Sequence, residues 1–160
     1  MSMLNTLTLT LANLEDTALL GKLLAVGAPD GTTIGLTGTL GAGKTLLVQA
    51  IATASGVRAG SVTSPTYVLC HAYRGDRLIY HIDAYRLADS DEFLELGVDE
   101  MFESSALTLV EWADRVSELL PRERISIDLQ ITSPEERLAI IRATGVYEPL
   151  LAQIRQAWPT

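Results

Sequence analysis

GTLGAGKT, residues 38–45, decides how this chain is read. Its glycines, Gly38, Gly41 and Gly43, sit between two apolar runs, TTIGLT (32–37) and LLVQAIATA (46–54). Glycine weakens both helices and strands, so the loop needs a reason to keep a bare backbone. The spacing of Gly38, Gly43, Lys44 and Thr45 fits G-x-x-x-x-G-K-[ST], with a strand pattern before it and a helical pattern after it. Such a loop turns successive N–H groups inward, here through Leu40, Gly41, Ala42 and Gly43, and forms a nest for an anion. The positive end of the following helix adds partial charge toward the same place. Lys44 is then expected to bridge β- and γ-phosphates, and the Thr45 hydroxyl to take a coordination site of Mg²⁺. The stretch predicts a nucleoside-triphosphate site.

Working outward, TLTLTL (6–11) alternates with period two and reads as a half-buried strand. Asn13 is positioned to cap a helix running to about Val26, with Leu14, Ala18, Leu20, Leu23 and Leu24 on one side. TTIGLTG is a buried strand, and the helix from Lys44 to about Ala54 is apolar enough to be covered on most of its surface. YVLCHAY and RLIYHID, joined by RGD, must pair antiparallel, because a parallel crossover needs a dozen or more residues. DSDEFLELG predicts one short helix, ALTLVEW a buried strand, and the residues before Pro121 another helix. ISIDLQI and RLAIIRAT form a second antiparallel pair around SPEE, and the tail from about Tyr147 to Trp158 is helical. Strand–helix alternation followed by hairpins predicts a three-layer α/β P-loop NTPase fold with a mixed parallel and antiparallel sheet. The whole chain, 1–160, reads as one such domain.

Hydrolysis needs more than a phosphate loop: a carboxylate for the metal, a group that orients water and a segment that senses the γ-phosphate. Asp83 closes RLIYHID and Glu111 closes ALTLVE, so both fall at the carboxyl ends of strands, where α/β sheets present ligands. A strand-end carboxylate also serves as a plain helix cap. Thr63, Ser64 and Thr66 occupy the place of a γ-phosphate sensor, or form an ordinary turn around Pro65. His81 reads either as a contact to the switch region or, more ordinarily, as a hydrogen-bonded structural residue of its strand. Tyr67, Tyr73, Tyr80 and Tyr85 gather near the hairpin and are expected to pack there first.

Composition narrows the class. A 48% hydrophobic and 20% charged chain is ordinary for a globular protein, and no apolar run nears the roughly 18 residues of a membrane span. MSMLNTLTLTL lacks a basic start and a cleavage site, and the single Cys70 excludes an internal disulfide. Together these predict a cytoplasmic protein, with Cys70 as inert core filler. A net charge of −8 and a pI near 4.7 argue against a chain that grips nucleic acid alone.

LGAGKT, SPTY, YHIDAYRL and VEW, in this order and spacing, resemble the bacterial TsaE family, the small ATPases of tRNA threonylcarbamoyladenosine biosynthesis. YHIDAYRL and VEW are far more specific than the loop. The resemblance runs from the helix bearing Thr17 and Gly21 to the strand bearing Arg137, and the C-terminal third is least distinctive. It implies binding and slow hydrolysis of ATP with Mg²⁺, in concert with TsaB and TsaD. Those partners modify an adenosine next to the anticodon, so tRNA is met only through the partner complex. By position, the resemblance places Gly41 to Thr45 on the phosphates, Thr45 and Glu111 on the metal, and Asp83 as a Walker-B-like acid. It also implies that Thr66 is the switch threonine and that Trp112 and Arg137 lie close to the nucleotide.

Lys44, Asp83 and Glu111 are therefore the candidate catalytic residues, and Thr45, Glu111 and Asp83 the candidate metal ligands. The metal-holding and water-orienting roles stay open between Asp83 and Glu111. Arg86 is the one candidate arginine finger, though an ion pair steadying the switch region is its plainer role. A small-molecule kinase would need a basic lid that no segment supplies. A GTP switch would need N-K-x-D, yet the only asparagines, Asn5 and Asn13, precede the loop. ATP is the expected nucleotide.

Overall fold

The computed structural model describes residues 5–62 and 69–160. The expected strands form β1 (Thr6–Leu11), β2 (Thr33–Thr37), β3 (Cys70–Arg74), β4 (Leu78–Asp83), β5 (Leu107–Glu111), β6 (Ile125–Ile131) and β7 (Arg137–Ala143). They make one sheet in the order β1-β7-β6-β2-β5-β4-β3. The four central strands, β6, β2, β5 and β4, run parallel, while β3, β7 and β1 are antiparallel to their neighbours. This is the mixed sheet that the two hairpins predict.

Burial follows topology. β1, at an edge, alternates exposed and buried, whereas all five residues of the central β5 are buried. Parallel central strands are covered on both faces, which is why LTLVE shows no alternation. On one face lie α1 (Leu14–Gly27), α2 (Lys44–Ala54) and α5 (Glu148–Ala157), packed with Ile34, Leu36, Leu107 and Leu109 into the main core. On the other, Ile82 and Val110 meet Phe93, Val98, Val116 and Leu120 in a second cluster. Three layers result.

Asn13 caps α1 as expected, its side-chain oxygen accepting from the Asp16 N–H at 2.9 Å. The buried face of α1, however, is Leu20, Gly21, Leu24 and Ala25, while Leu14 and Ala18 are exposed. Gly21 explains the rotation. A Cβ there would lie 2.8 Å from the Ala50 carbonyl carbon and 2.9 Å from the Ile51 nitrogen, so a bare glycine lets α1 close directly onto α2.

DSDEFLELG forms the expected short helix, α3 (Ser90–Glu95), and the chain continues into a second that was not expected, α4 (Val98–Glu103), with Gly97 at φ +80° turning between them. The helix expected before Pro121 is present as a 3₁₀ segment, Ala113–Leu119, kinked at Val116, where φ is −132°. Among the described residues no helix is long and apolar enough to cross a membrane.

Candidate functional site

The loop after β2 has the conformation its glycines predict. Gly38, Gly41 and Gly43 have φ of +140°, +83° and +106°, and Gly43 leads directly into α2. At Gly38 any side chain would also collide with the Leu129 carbonyl, whereas Gly43 faces open space. The bare backbone of the opening stretch is therefore required twice, by the turn itself and by the approach of β6.

Lys44, the first residue of α2, is 5% exposed. Its Nζ donates to the carbonyls of Gly38 at 2.6 Å and Thr39 at 2.9 Å, and lies 4.0 Å above the Trp112 ring. Burial lowers the Lys44 pKa from the ordinary lysine range, against the opposing pull of the Glu111, Asp114, Asp83 and Asp128 carboxylates. Trp112 is held in an unusual way. Alone among the described non-glycine residues it has a positive φ, +57°, and its ring lies 4.8 Å from that of Tyr85. Left-handed backbone in a bulky residue costs roughly 1–2 kcal/mol, a strain that the Lys44 and Tyr85 contacts hold in place.

Strand register brings the acids together. Asp83 pairs with Glu111 between β4 and β5, and His81 pairs with Leu109 two residues earlier. Successive side chains alternate faces, so His81, Asp83, Leu109 and Glu111 all point toward α2. There Thr45 Oγ1 donates to Glu111, 2.9 Å from Oε1 and 3.1 Å from Oε2. His81 Nε2 lies 2.5 Å from Glu111 Oε2. His81 is thus a partner of the Glu111 carboxylate, a contact the sequence does not announce, since only register places the two residues side by side.

Asp83 Oδ1 accepts from the Tyr85 N–H at 2.9 Å. Burial nevertheless raises the Asp83 pKa, Glu111 raises it further, and the Tyr85 hydrogen bond only partly compensates. A folded-state pKa above the unfolded one means that ionised Asp83 weakens the fold. The penalty is absent below the unfolded value of about 3.9 and is fully present once pH has risen through the folded value. Asp83→Asn is therefore expected to raise the unfolding temperature at pH 7.5 and to leave it unchanged near pH 3.5. Calorimetry at the two pH values checks this; an equal shift at both would assign the effect to packing.

Leu40, Lys44, Thr45, Arg86, Glu111 and Trp112 are among the residues bordering a cleft of about 330 Å³. Arg86 lines it without an ion pair among the described residues. Gly43 and Leu46 continue into a neighbouring, largely apolar cavity of about 460 Å³, with Leu11, Leu14, Thr17 and Arg137 on its other walls. The sequence gives no local sign of this cavity, which exists because α1 packs beside the loop. Arg137 reaches the loop itself: Nε donates to the Ala42 carbonyl and Nη2 to the Gly41 carbonyl, both at 3.2 Å. Thr66, with Thr63 and Ser64, lies outside the described residues. Cys70 is half-buried, and burial pushes its thiol up to about 11, in keeping with an inert residue.

A glycine loop capping a helix, a buried lysine, and a threonine bonded to a strand-end glutamate form the geometry against which known proteins can be compared. The profile of the family described as threonylcarbamoyl adenosine biosynthesis protein TsaE matches residues 11–139. The chain belongs to the TsaE family. The tRNA threonylcarbamoyladenosine biosynthesis protein TsaE of Bacillus subtilis (strain 168) is 38% identical over 144 residues, 89% of each chain. The protein of that name from Treponema pallidum is 33% identical over 77% of this chain and 90% of its own. The crystal structure of Bacillus subtilis YdiB superimposes with a TM-score of 0.78 at 30% identity, covering 98% of both chains. The TsaE match takes in the loop, Asp83, Glu111, Trp112 and Arg137, so the resemblance first read from short motifs extends across the whole site.

Proposed function

We propose that the chain is a Mg²⁺-dependent ATPase that serves the threonylcarbamoylation of tRNA by cycling a complex of TsaB and TsaD, without transferring the group itself. The observation that carries this reading is the hydrogen-bonded pair of Thr45 and Glu111 at the mouth of the Lys44 loop. ATP fits the two adjoining spaces: the phosphates at the loop, and the base in the apolar cavity beside Leu14, Thr17 and Arg137. Backbone N–H groups and Lys44 hold the β- and γ-phosphates, the lysine exchanging the Gly38 and Thr39 carbonyls for phosphate oxygens.

Mg²⁺ also fits, because the candidate donors, Thr45 hydroxyl and the Glu111 and Asp83 carboxylates, are all oxygens. When bound, it offsets negative charge on the transferring phosphoryl group. Glu111, bonded directly to Thr45, is the better placed metal-side acid. Asp83, adjacent in register and with a raised pKa, is the better placed group to orient water.

Arg86 and Tyr85 border the cleft on its exposed side, where a partner would complete it. A P-loop site lacking a committed arginine turns over slowly until one is supplied. Purified protein is expected to hydrolyse ATP slowly, only with Mg²⁺, and faster when TsaB and TsaD are added. Turnover indifferent to the partners would leave the ATPase standing and remove the cycling role; absence of Mg²⁺-dependent turnover under every condition would remove both.

A further inference from the structure

His81 is wholly buried, and its imidazole has one directed hydrogen bond, from Nε2 to Glu111 Oε2 at 2.5 Å. Nδ1 has no hydrogen-bond partner among the described residues. An imidazole removed from water costs free energy that an apolar side chain of similar volume would not, so its one bond is the reason to look for a role. The surroundings agree. The ring is flanked by Tyr73, with centroids 6.3 Å apart, and it sits on β4 one strand away from Glu111, on the same face of the sheet. Glu111 is thereby held from two sides: His81 takes Oε2 from within the sheet, and Thr45 spans both oxygens from α2.

We propose that His81 is a positioning residue for the metal site, fixing the Glu111 carboxylate in the orientation that meets Thr45 and Mg²⁺. This rests on the ATP–Mg²⁺ reading of the site. A glutamate has three side-chain torsions, and an unsupported one loses rotamer freedom on binding a cation. A carboxylate already bonded to His81 and Thr45 has lost that freedom during folding, so the cation meets an ordered ligand. Groups that orient metal-binding carboxylates in this way commonly contribute about ten- to a hundredfold to metal affinity.

Substitution geometry separates this role from simple filling of space. The amide nitrogen of glutamine reaches about as far as Nε2 of histidine, whereas that of asparagine stops near the position of Nδ1 and falls short of Glu111. The measurement is ATP affinity with and without Mg²⁺, by titration calorimetry, on the full chain and on His81→Gln and His81→Asn. Thermal unfolding is recorded for each.

In the unsubstituted protein Mg²⁺ is expected to tighten ATP binding. His81→Asn is expected to lose roughly tenfold or more of that gain. Metal-free affinity should stay unchanged, and His81→Gln should keep most of the gain. In a Glu111→Gln background the difference between the two His81 variants is expected to vanish. Equal Mg²⁺ gain in His81→Asn and the unsubstituted chain would overturn the proposal, as would a folded His81→Gln that loses the gain. No Mg²⁺ gain in the unsubstituted protein would overturn the ATP–Mg²⁺ reading itself, and the positioning role with it.

Discussion

ATP turnover is expected to disappear in both Lys44→Ala and Glu111→Ala, while ATP binding collapses only in the first. Lys44 lies where the loop passes into α2, with its ammonium already donating to a pair of carbonyl oxygens and set over the Trp112 ring. An ammonium in that position contacts phosphate in both ground state and transition state, so its removal weakens binding and chemistry together. Glu111 touches Thr45 and His81 instead, and a carboxylate that reaches the nucleotide only through a metal contributes mainly where charge is moving. Turnover should fall by at least about a hundredfold in either variant, by analogy with loss of a single group that stabilises transition-state charge. Glu111→Ala also strands the buried His81 imidazole, at a cost of about 1–3 kcal/mol, and frees the half-buried Thr45 hydroxyl. Glu111→Gln keeps the size and an acceptor oxygen, and is the cleaner comparison. Turnover assays alongside fluorescent-nucleotide titration distinguish the cases. Equal loss of binding in Lys44→Ala and Glu111→Gln would show that Glu111 acts by holding the loop in shape.

Much of this site is legible in the sequence because its signals are local. A glycine loop between strand and helix must turn where Gly38 and Gly43 stand, and the positive φ angles found there follow from that requirement. Asp83 and Glu111 are recognisable because each ends an apolar run, and parallel strands present their carboxyl ends along one edge. What escaped was set by register and packing. His81 reaches Glu111 only because β4 and β5 pair with His81 opposite Leu109, a relation no local pattern carries. The burial of Leu20, Gly21, Leu24 and Ala25 in place of Leu14 and Ala18 depends on the close approach of α1 to α2 at Gly21. The second short helix, α4, is equally invisible, since Gly97 reads as a terminator and in fact starts the next helix. Family resemblance supplied Arg137 and Trp112, and the structure adds what each touches.

Arg137 then yields the second large effect. The resemblance implies a basic residue close to the nucleotide, yet the guanidinium donates to the backbone carbonyls of Gly41 and Ala42 and, through Nη1, to those of Ser133 and Glu136 at 3.0 Å. A peptide plane whose carbonyl is drawn toward Arg137 turns the following N–H the opposite way, toward the phosphate nest. Arg137 therefore acts on the shape of the loop. Charged hydrogen bonds of this kind contribute about 1.5–3 kcal/mol, so Arg137→Ala is expected to weaken ATP binding by about ten- to a hundredfold. Lysine should restore little of it, because one ammonium with three donors cannot serve the Gly41, Ala42, Ser133 and Glu136 carbonyls together as the five-donor planar fork does. Comparing ligands separates loop shaping from direct contact. If Arg137 shapes the loop, binding of ATP and of inorganic triphosphate should weaken by the same factor. If it touches base or ribose, ATP alone should suffer. Paired titrations of Arg137→Ala with the two ligands decide between them, and an affinity for both within about threefold of the unsubstituted protein would show that the loop holds its shape unaided.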